Sequence, residues 1–386
     1  MRILMYRWKA YNQYDLIENL RERGHIVDEI KGELINYEED DGFSKRFNAR
    51  LDEVSYDMVI TINYFPLISD ICLERDILYV SWCCDCPIAT MYHESVFNKV
   101  NKIFCFDKIN YLTFADMGAP VYYLPLCAAT ERVDRLLSQA DDLDKYESDV
   151  SFIGSMYRKN SYDEICDHLP DYLRGYFDAA MKIQMNIYGE YFLPDILNGE
   201  TVAELNRNFF LAKTDRSFSD LSLIFSTTVL GFKIAQMERQ TMIAELSRHF
   251  KVDVYTDDPD QDFVFATNKG TADYWNEAPK IFNRSKINLN FTIRNIQSGI
   301  PLRVWDILGA GGFCITNFQP ELLMYFENGK DIVYFENKED LVQKIDYYLK
   351  HEDERKQIAM NGYRKVKELH GYRQRLDEMS QYIKGL

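Results

Sequence analysis

The stretch IPLRVWDILGAGGFCITN, residues 300–317, decides how the chain is read. Pro301 suits the first turn of a helix. Gly309, Gly311 and Gly312 mark that helix's end, and FCITN reads as a buried strand. A helix that stops on glycine and feeds directly into an apolar strand is half of a βαβ unit. Two readings of the glycines are open, a phosphate cradle or a tight structural turn. Arg303 and Asp306 stand three apart and share one helix face. Val304, Trp305, Ile307 and Leu308 around them are apolar, so the helix is read as buried. The two charges then face either each other or a ligand. A carboxylate is suited to accept ribose hydroxyls, and an arginine to hold a pyrophosphate.

Outward from this stretch, strand-like and helix-like segments alternate. DVSFIGS (149–155), KVDVYT (251–256), KINLNFT (286–292) and DIVYF (331–335) are further apolar runs with helical segments between them. Toward the N-terminus RILMY, HIVDEI, YDMVITIN, ILYVSW, NKIFCFD and APVYYLPL form a second such series. Continuous apolar runs are expected of parallel strands covered on both faces. The fold expected is α/β, with two doubly wound Rossmann-like domains facing a central cleft and a helical insertion in the second. The boundaries read are 1–130 for the N-terminal domain and 131–148 for an acidic linker. The second domain follows at 149–370, with the insertion at 160–250. A C-terminal helix at 371–386 is expected to pack back on the first domain. No G-x-G-x-x-G follows the first strand, so the dinucleotide fingerprint is missing.

The composition narrows the partners. A chain of 386 residues with a net charge of −16 repels polyanions, which argues against nucleic acid but not against a small nucleotide held by local arginines. The N-terminus has no signal-peptide pattern, and DLSLIFSTTVLGFKIAQ falls short of the ~20 apolar residues a membrane span requires. A cytoplasmic protein without an integral span is expected. The eight cysteines include Cys83, Cys84 and Cys86 in WCCDCP. They lack a second Cys/His pair at finger spacing, so buried thiols are expected and no metal.

Ligands of doubly wound sheets bind beyond the carboxyl ends of the strands, which directs attention to the loops. After DVSFIGS, Gly154 and Ser155 would let the backbone approach a phosphate at a helix N-terminus, with Arg158 to neutralise it; an ordinary surface loop is the alternative. Tyr274 would offer a ring to a flat base, or pack in the core. The loop after KINLNFT is polar, with Arg294, Gln297, Ser298 and Gly299; it caps a helix or holds a ligand. In the first domain Asp85 and His93 are the candidates for acid–base work, against a turn residue and a surface histidine.

The block SKINLNFTIRNIQSGIPLRVWDILGAGGFCITNFQPELLMYFENGKDIVYFENKEDLVQKIDYYL resembles the C-terminal half of a GT-B glycosyltransferase. More narrowly, it is similar to the CgeB-like (spore-maturation-type) family, related to the family-four glycosyltransferases. RILMYRW…DLIENLRERGHIVDEI, YVSWCCDCP, YYLPLCAA and HGYRQRLDEM are also like that family. The resemblance implies metal-independent transfer of a sugar from a nucleotide diphosphate sugar, UDP-linked in the first instance, without a cofactor. It also implies that the 149–370 domain binds the nucleotide sugar and that the 1–130 domain is the acceptor side; the acceptor would be a cell-surface or spore polysaccharide, a glycoprotein or a small molecule. In the family-four enzymes two glutamates eight apart flank this helix. The second matches Asp306, expected on the ribose; the first falls on Ser298, which is not acidic. Other readings are a nucleotide-sugar epimerase or hydrolase, or an inactive binding homologue. The 160–250 region is open between shaping an acceptor site and forming a homodimer face.

Overall fold

The apolar runs form two separate six-stranded sheets, and every strand pairing in both is parallel. The structure is a computed structural model and describes residues 1–258, 263 and 265–386. The first sheet contains β1 (Arg2–Arg7), β2 (Ile26–Lys31), β3 (Met58–Ile62), β4 (Leu78–Trp82), β5 (Asn101–Cys105) and β6 (Val121–Tyr123), ordered β2-β1-β3-β4-β5-β6. The second contains β7 (Ser148–Ile153), β8 (Val252–Tyr255), β9 (Thr267–Asn268), β10 (Ser285–Asn290), β11 (Cys314–Asn317) and β12 (Val333–Phe335), ordered β12-β11-β10-β7-β8-β9. In each sheet the strand order reverses once. The reversal falls between β1 and β3 in the first and between β7 and β10 in the second. At such a switch point two successive loops leave in opposite directions and open a crevice.

Both sheets are covered on their two faces, as their unbroken apolar runs demand. All five residues of β3 are buried. Leu4, Val59, Phe43, Phe47 and Ile68 belong to the first core, and Val150, Val254, Leu289, Ile315 and Leu341 to the second.

Two compact units carry the sheets, and neither is contiguous. One is Met1–Leu126 with Leu211–Asp220 and Tyr372–Leu386; the other is Cys127–Phe210 with Leu221–Gly371. Residues 131–148, read as a linker, are built into the second unit. Helix Thr130–Gln139 opens the segment, and cations answer its carboxylates. Lys367 Nζ lies 2.7 Å from Asp134, Lys280 Nζ 2.7 Å from Asp142, and Arg284 2.6 Å from Glu147. Much of the acidity that suggested a linker is therefore paired.

The 160–250 region is helical in large part, with its longest helices at Asp171–Gln184, Gly199–Asn208 and Phe232–Leu246. Within it, Leu211–Asp220 leaves to join the first unit. There Arg216 pairs with Asp70 at 2.7 Å, and Thr214 hydrogen-bonds Glu38. The C-terminal helix Tyr372–Ser380 also belongs to the first unit. Arg375, 2% exposed, donates through Nε to the carbonyls of Pro125 and Leu126. No helix among the described residues is long and apolar enough to cross a membrane.

Candidate functional site

Three of the predicted residues meet on and beside helix Leu302–Gly309. Pro301 stands at its N-cap, and the glycines make its exit. Gly311 adopts φ +72°, Gly312 N donates to Ile307 O at 2.9 Å, and Gly311 N to Leu308 O at 3.0 Å. This paired closure is a Schellman motif, and the left-handed residue it needs is glycine for lack of a Cβ penalty. A Cβ on Gly312 would lie 2.5 Å from Phe282 O. The glycines thus turn the helix into β11 at close quarters, and the phosphate-cradle reading of them falls.

On the helix itself, Val304, Trp305, Ile307 and Leu308 are buried, while Arg303 and Asp306 are half-buried on the remaining face. Their ion pair is long, at 3.8 Å. Asp306 instead accepts the Tyr274 hydroxyl on Oδ1 at 2.9 Å. Tyr274 and Asp306 line a tight cavity together with Arg132, Val133 and Phe282. Arg303 lies over the Phe282 ring, 5.2 Å from its centroid, and its Nη1 is buried without a hydrogen bond. The carboxylate and the guanidinium therefore do not neutralise each other tightly. Tyr274, expected to offer its ring to a base, meets Asp306 through its hydroxyl.

Gly154 and Ser155 stand at the carboxyl end of β7, on the switch point of the second sheet. The helix expected to begin there is displaced. It runs only over Ser161–Ile165 and is capped by Asn160, whose side chain accepts from Asp163 N. Tyr157, at φ +53°, makes the intervening turn, and Ser155 Oγ accepts its amide at 3.0 Å. Arg158 is half-buried in that turn.

The loop after β10 places its polar residues differently from one another. Arg294, read as part of a loop that caps a helix or holds a ligand, is 5% exposed and pairs with Glu238, 1% exposed, at 2.8 Å. Its guanidinium stacks 3.9 Å from the Tyr188 ring centroid, and Tyr188 also donates to Glu238. Burial pushes the Glu238 carboxyl up, and Arg294 pulls it down. Arg294 is thus held inside by the helical insertion. Ser298, the position lacking the acid, is 4% exposed and donates to Glu321 Oε1 at 2.7 Å. A carboxylate does lie behind position 298, delivered by the loop after β11 rather than by the motif. Gly299 is buried, and Gln297 stays half-buried.

In the first unit Asp85 sits beyond β4. Its side chain reaches the surface, while burial of its surroundings raises its pKa above the ordinary carboxylate value. Asn63 opposes that shift. It follows β3 at φ +63°, a region asparagine tolerates better than other side chains. Its Nδ2 donates to Asp85 Oδ2 at 2.6 Å, and its Oδ1 accepts the amides of Cys84 and Asp85 at 2.9 and 3.3 Å. One side chain so fixes both the loop and the carboxylate. His93 does not suit acid–base work. It is 1% exposed, its Nδ1 accepts from Ser95 N at 3.2 Å as a helix cap, and its backbone bridges to Ser217. Burial lowers its pKa. Segment 211–220 covers it. The cysteines of WCCDCP form no disulfide, and burial raises the pKa of the Cys84 thiol. Among the described residues no group of three His, Cys, Asp or Glu is arranged to hold a metal ion.

Sequence reading missed Arg239, Glu238, Asn63 and Glu321. The signal for the first two was a charged pair, MERQ, inside an otherwise apolar helical face.

Residues 239–381 match the family described as glycosyl transferase-like. No curated protein matches the chain by sequence. Among solved structures it resembles HepE of Anabaena, determined with UDP and glucose, at TM-score 0.54 and 8% identity over the whole of both chains. It also resembles the sucrose-phosphate synthase of Thermosynechococcus elongatus, at TM-score 0.57 and 8% identity over 99% of this chain and 98% of that one. A UDP-forming trehalose-phosphate synthase of Burkholderia xenovorans gives 0.53 and 11% over 100% and 98%. These likenesses identify the fold as GT-B.

Proposed function

We propose that this GT-B glycosyltransferase draws its sugar from a nucleoside diphosphate sugar, UDP-linked, and passes it to a carbohydrate, glycoprotein or small acceptor. The observation that carries the reading is the placement of Arg303 and Asp306, half-buried on one face of helix Leu302–Gly309, inside the glycosyl transferase-like region. In this proposal Asp306 receives the ribose hydroxyls, exchanging the Tyr274 hydroxyl for them. Arg303 meets the diphosphate, helped by Arg158 and the Gly154–Ser155 backbone, so the leaving charge is carried by guanidinium groups rather than a metal. Gln297, Ser298 and Gly299 border the donor sugar. Asp85, held by Asn63, is the base that takes the acceptor's proton; its raised pKa brings it nearer the range where a base works at neutral pH.

The choice of uridine is supported by HepE, whose structures hold UDP and UDP-glucose, and by the T4 phage enzyme BGT, solved with UDP-glucose, at TM-score 0.50 and 12% identity over both whole chains. The finer placement, a CgeB-like enzyme, rests on the 286–350 sequence block. The deciding measurement is release of UDP, GDP or dTDP from a panel of nucleotide sugars. Sugar-dependent release with transfer to an added acceptor is the expected result. Product that remains nucleotide-linked, or saturable binding with no turnover on any donor, would overturn the proposal.

A further inference from the structure

Arg239 is the feature of the second unit that the foregoing reading leaves unused. It lies on helix Phe232–Leu246 and is 9% exposed. Its Nη1 donates to Ser155 O at 2.5 Å and its Nη2 to Phe291 O at 2.7 Å. Those carbonyls open the loops after β7 and β10, the two that part at the switch point. One guanidinium therefore spans the crevice and fixes both lips. The group lies between two rings, 5.3 Å from the Phe152 centroid and 4.8 Å from that of Tyr157. Its Nε is buried without a hydrogen-bond partner.

What Arg239 lacks is a counter-charge in direct contact. It makes no ion pair among the described residues. The neighbouring carboxylate of Glu238 is taken by Arg294. Burial disfavours the Arg239 charge, Tyr157 and Glu238 favour it, and Arg303 disfavours it, so the two guanidiniums lie within electrostatic reach of each other. A buried charge left unpaired is expensive, by several kcal/mol in typical cases. Carbonyl dipoles, ring faces and the field of Glu238 offset part of that cost, but no carboxylate pairs with the group directly. Arg239 and Arg303, whose charges oppose each other, make a place for an anion. That place lies at the strand ends where ligands of such sheets bind.

We propose that Arg239 supplies a standing positive charge for the diphosphate of the donor, acting as a positioning residue that ties the Ser155 and Phe291 loops across the switch point. The inference rests on the donor-site reading and adds to it a residue outside the Arg303–Asp306 helix, on helix Phe232–Leu246 of the helical insertion.

The test compares Arg239→Gln, which keeps an amide donor for the carbonyls, with Arg239→Lys, which keeps the charge. Binding of inorganic pyrophosphate, UDP and uridine is measured by calorimetry, with melting temperature as the control of folding. Arg239→Gln is expected to weaken pyrophosphate and UDP by about tenfold or more while leaving uridine within about twofold, as loss of one charge a few Å away requires. Arg239→Lys is expected to recover most of the pyrophosphate affinity. Equal losses for UDP and uridine, or no advantage of lysine over glutamine, would reduce Arg239 to a loop brace and overturn the proposal. Wild-type protein that binds pyrophosphate through Arg239 but no nucleotide would leave this inference standing and sink the donor reading instead.

Discussion

Tyr274 donates its hydroxyl to the Asp306 carboxylate at 2.9 Å, across 32 residues of sequence. The contact fills one acceptor position of the carboxylate proposed for the ribose, so nucleotide and tyrosine compete for it. Asp306→Asn is expected to weaken UDP and uridine alike by about tenfold or more, the worth of a hydrogen bond to a charged group. Tyr274→Phe should leave the affinity for uridine unchanged or improved. Calorimetric titration checks both; undiminished affinity in Asp306→Asn would contradict the ribose assignment.

Arg303 differs from Asp306 in what it should discriminate. Arg303→Ala is expected to cost UDP about tenfold in affinity through a lost charge-assisted contact, and to cost uridine little. The fold should survive, because the 3.8 Å pair with Asp306 is too long to contribute much. Equal losses for nucleoside and nucleotide would mark the residue as structural.

The Asn63–Asp85 contact predicts a pH effect with a definite sign. A catalytic base must be ionised, so activity falls as pH drops through its pKa. The Asn63 amide lowers the Asp85 pKa. Asn63→Gly removes that amide yet accepts the φ of +63°. The acid limb of the pH–kcat profile is therefore expected to move to higher pH. A limb that stays put or moves lower would show that Asp85 is not the titrating base.

His93 is expected to matter for stability and not for chemistry. Its folded pKa is lowered by burial, so it favours the native state while neutral. That contribution is present above the ordinary histidine pKa of about 6.5 and is lost as pH falls below it. His93→Asn, which retains a capping side chain, should keep kcat near wild type. Its melting temperature should fall less than wild type's between pH 7 and 5.5. A large loss of kcat in this variant would restore His93 to the chemistry.

What could be read from the sequence was local. The helix of residues 302–309, its glycine exit and the strands on either side follow from periodicity and turn chemistry within a few residues. The partners of the charges do not. Arg294 looks like a loop arginine until Glu238, 56 residues earlier, comes to meet it. Ser298 looks like a missing acid until Glu321 arrives from the next loop. His93 looks exposed until segment 211–220 covers it. Each depends on strand order and on the path of the insertion, which tertiary packing sets and no short window encodes.

The interleaving of the two units bears on how such a chain can be cut or recombined. The polypeptide changes unit at 126/127, 210/211, 220/221 and 371/372. A fragment ending at Leu126 would lose the salt bridges of Asp70 with Arg216 and of Arg23 with Asp377, and the burial of His93. Grafting the first unit of a relative onto this second unit therefore demands three co-inherited segments, not one crossover.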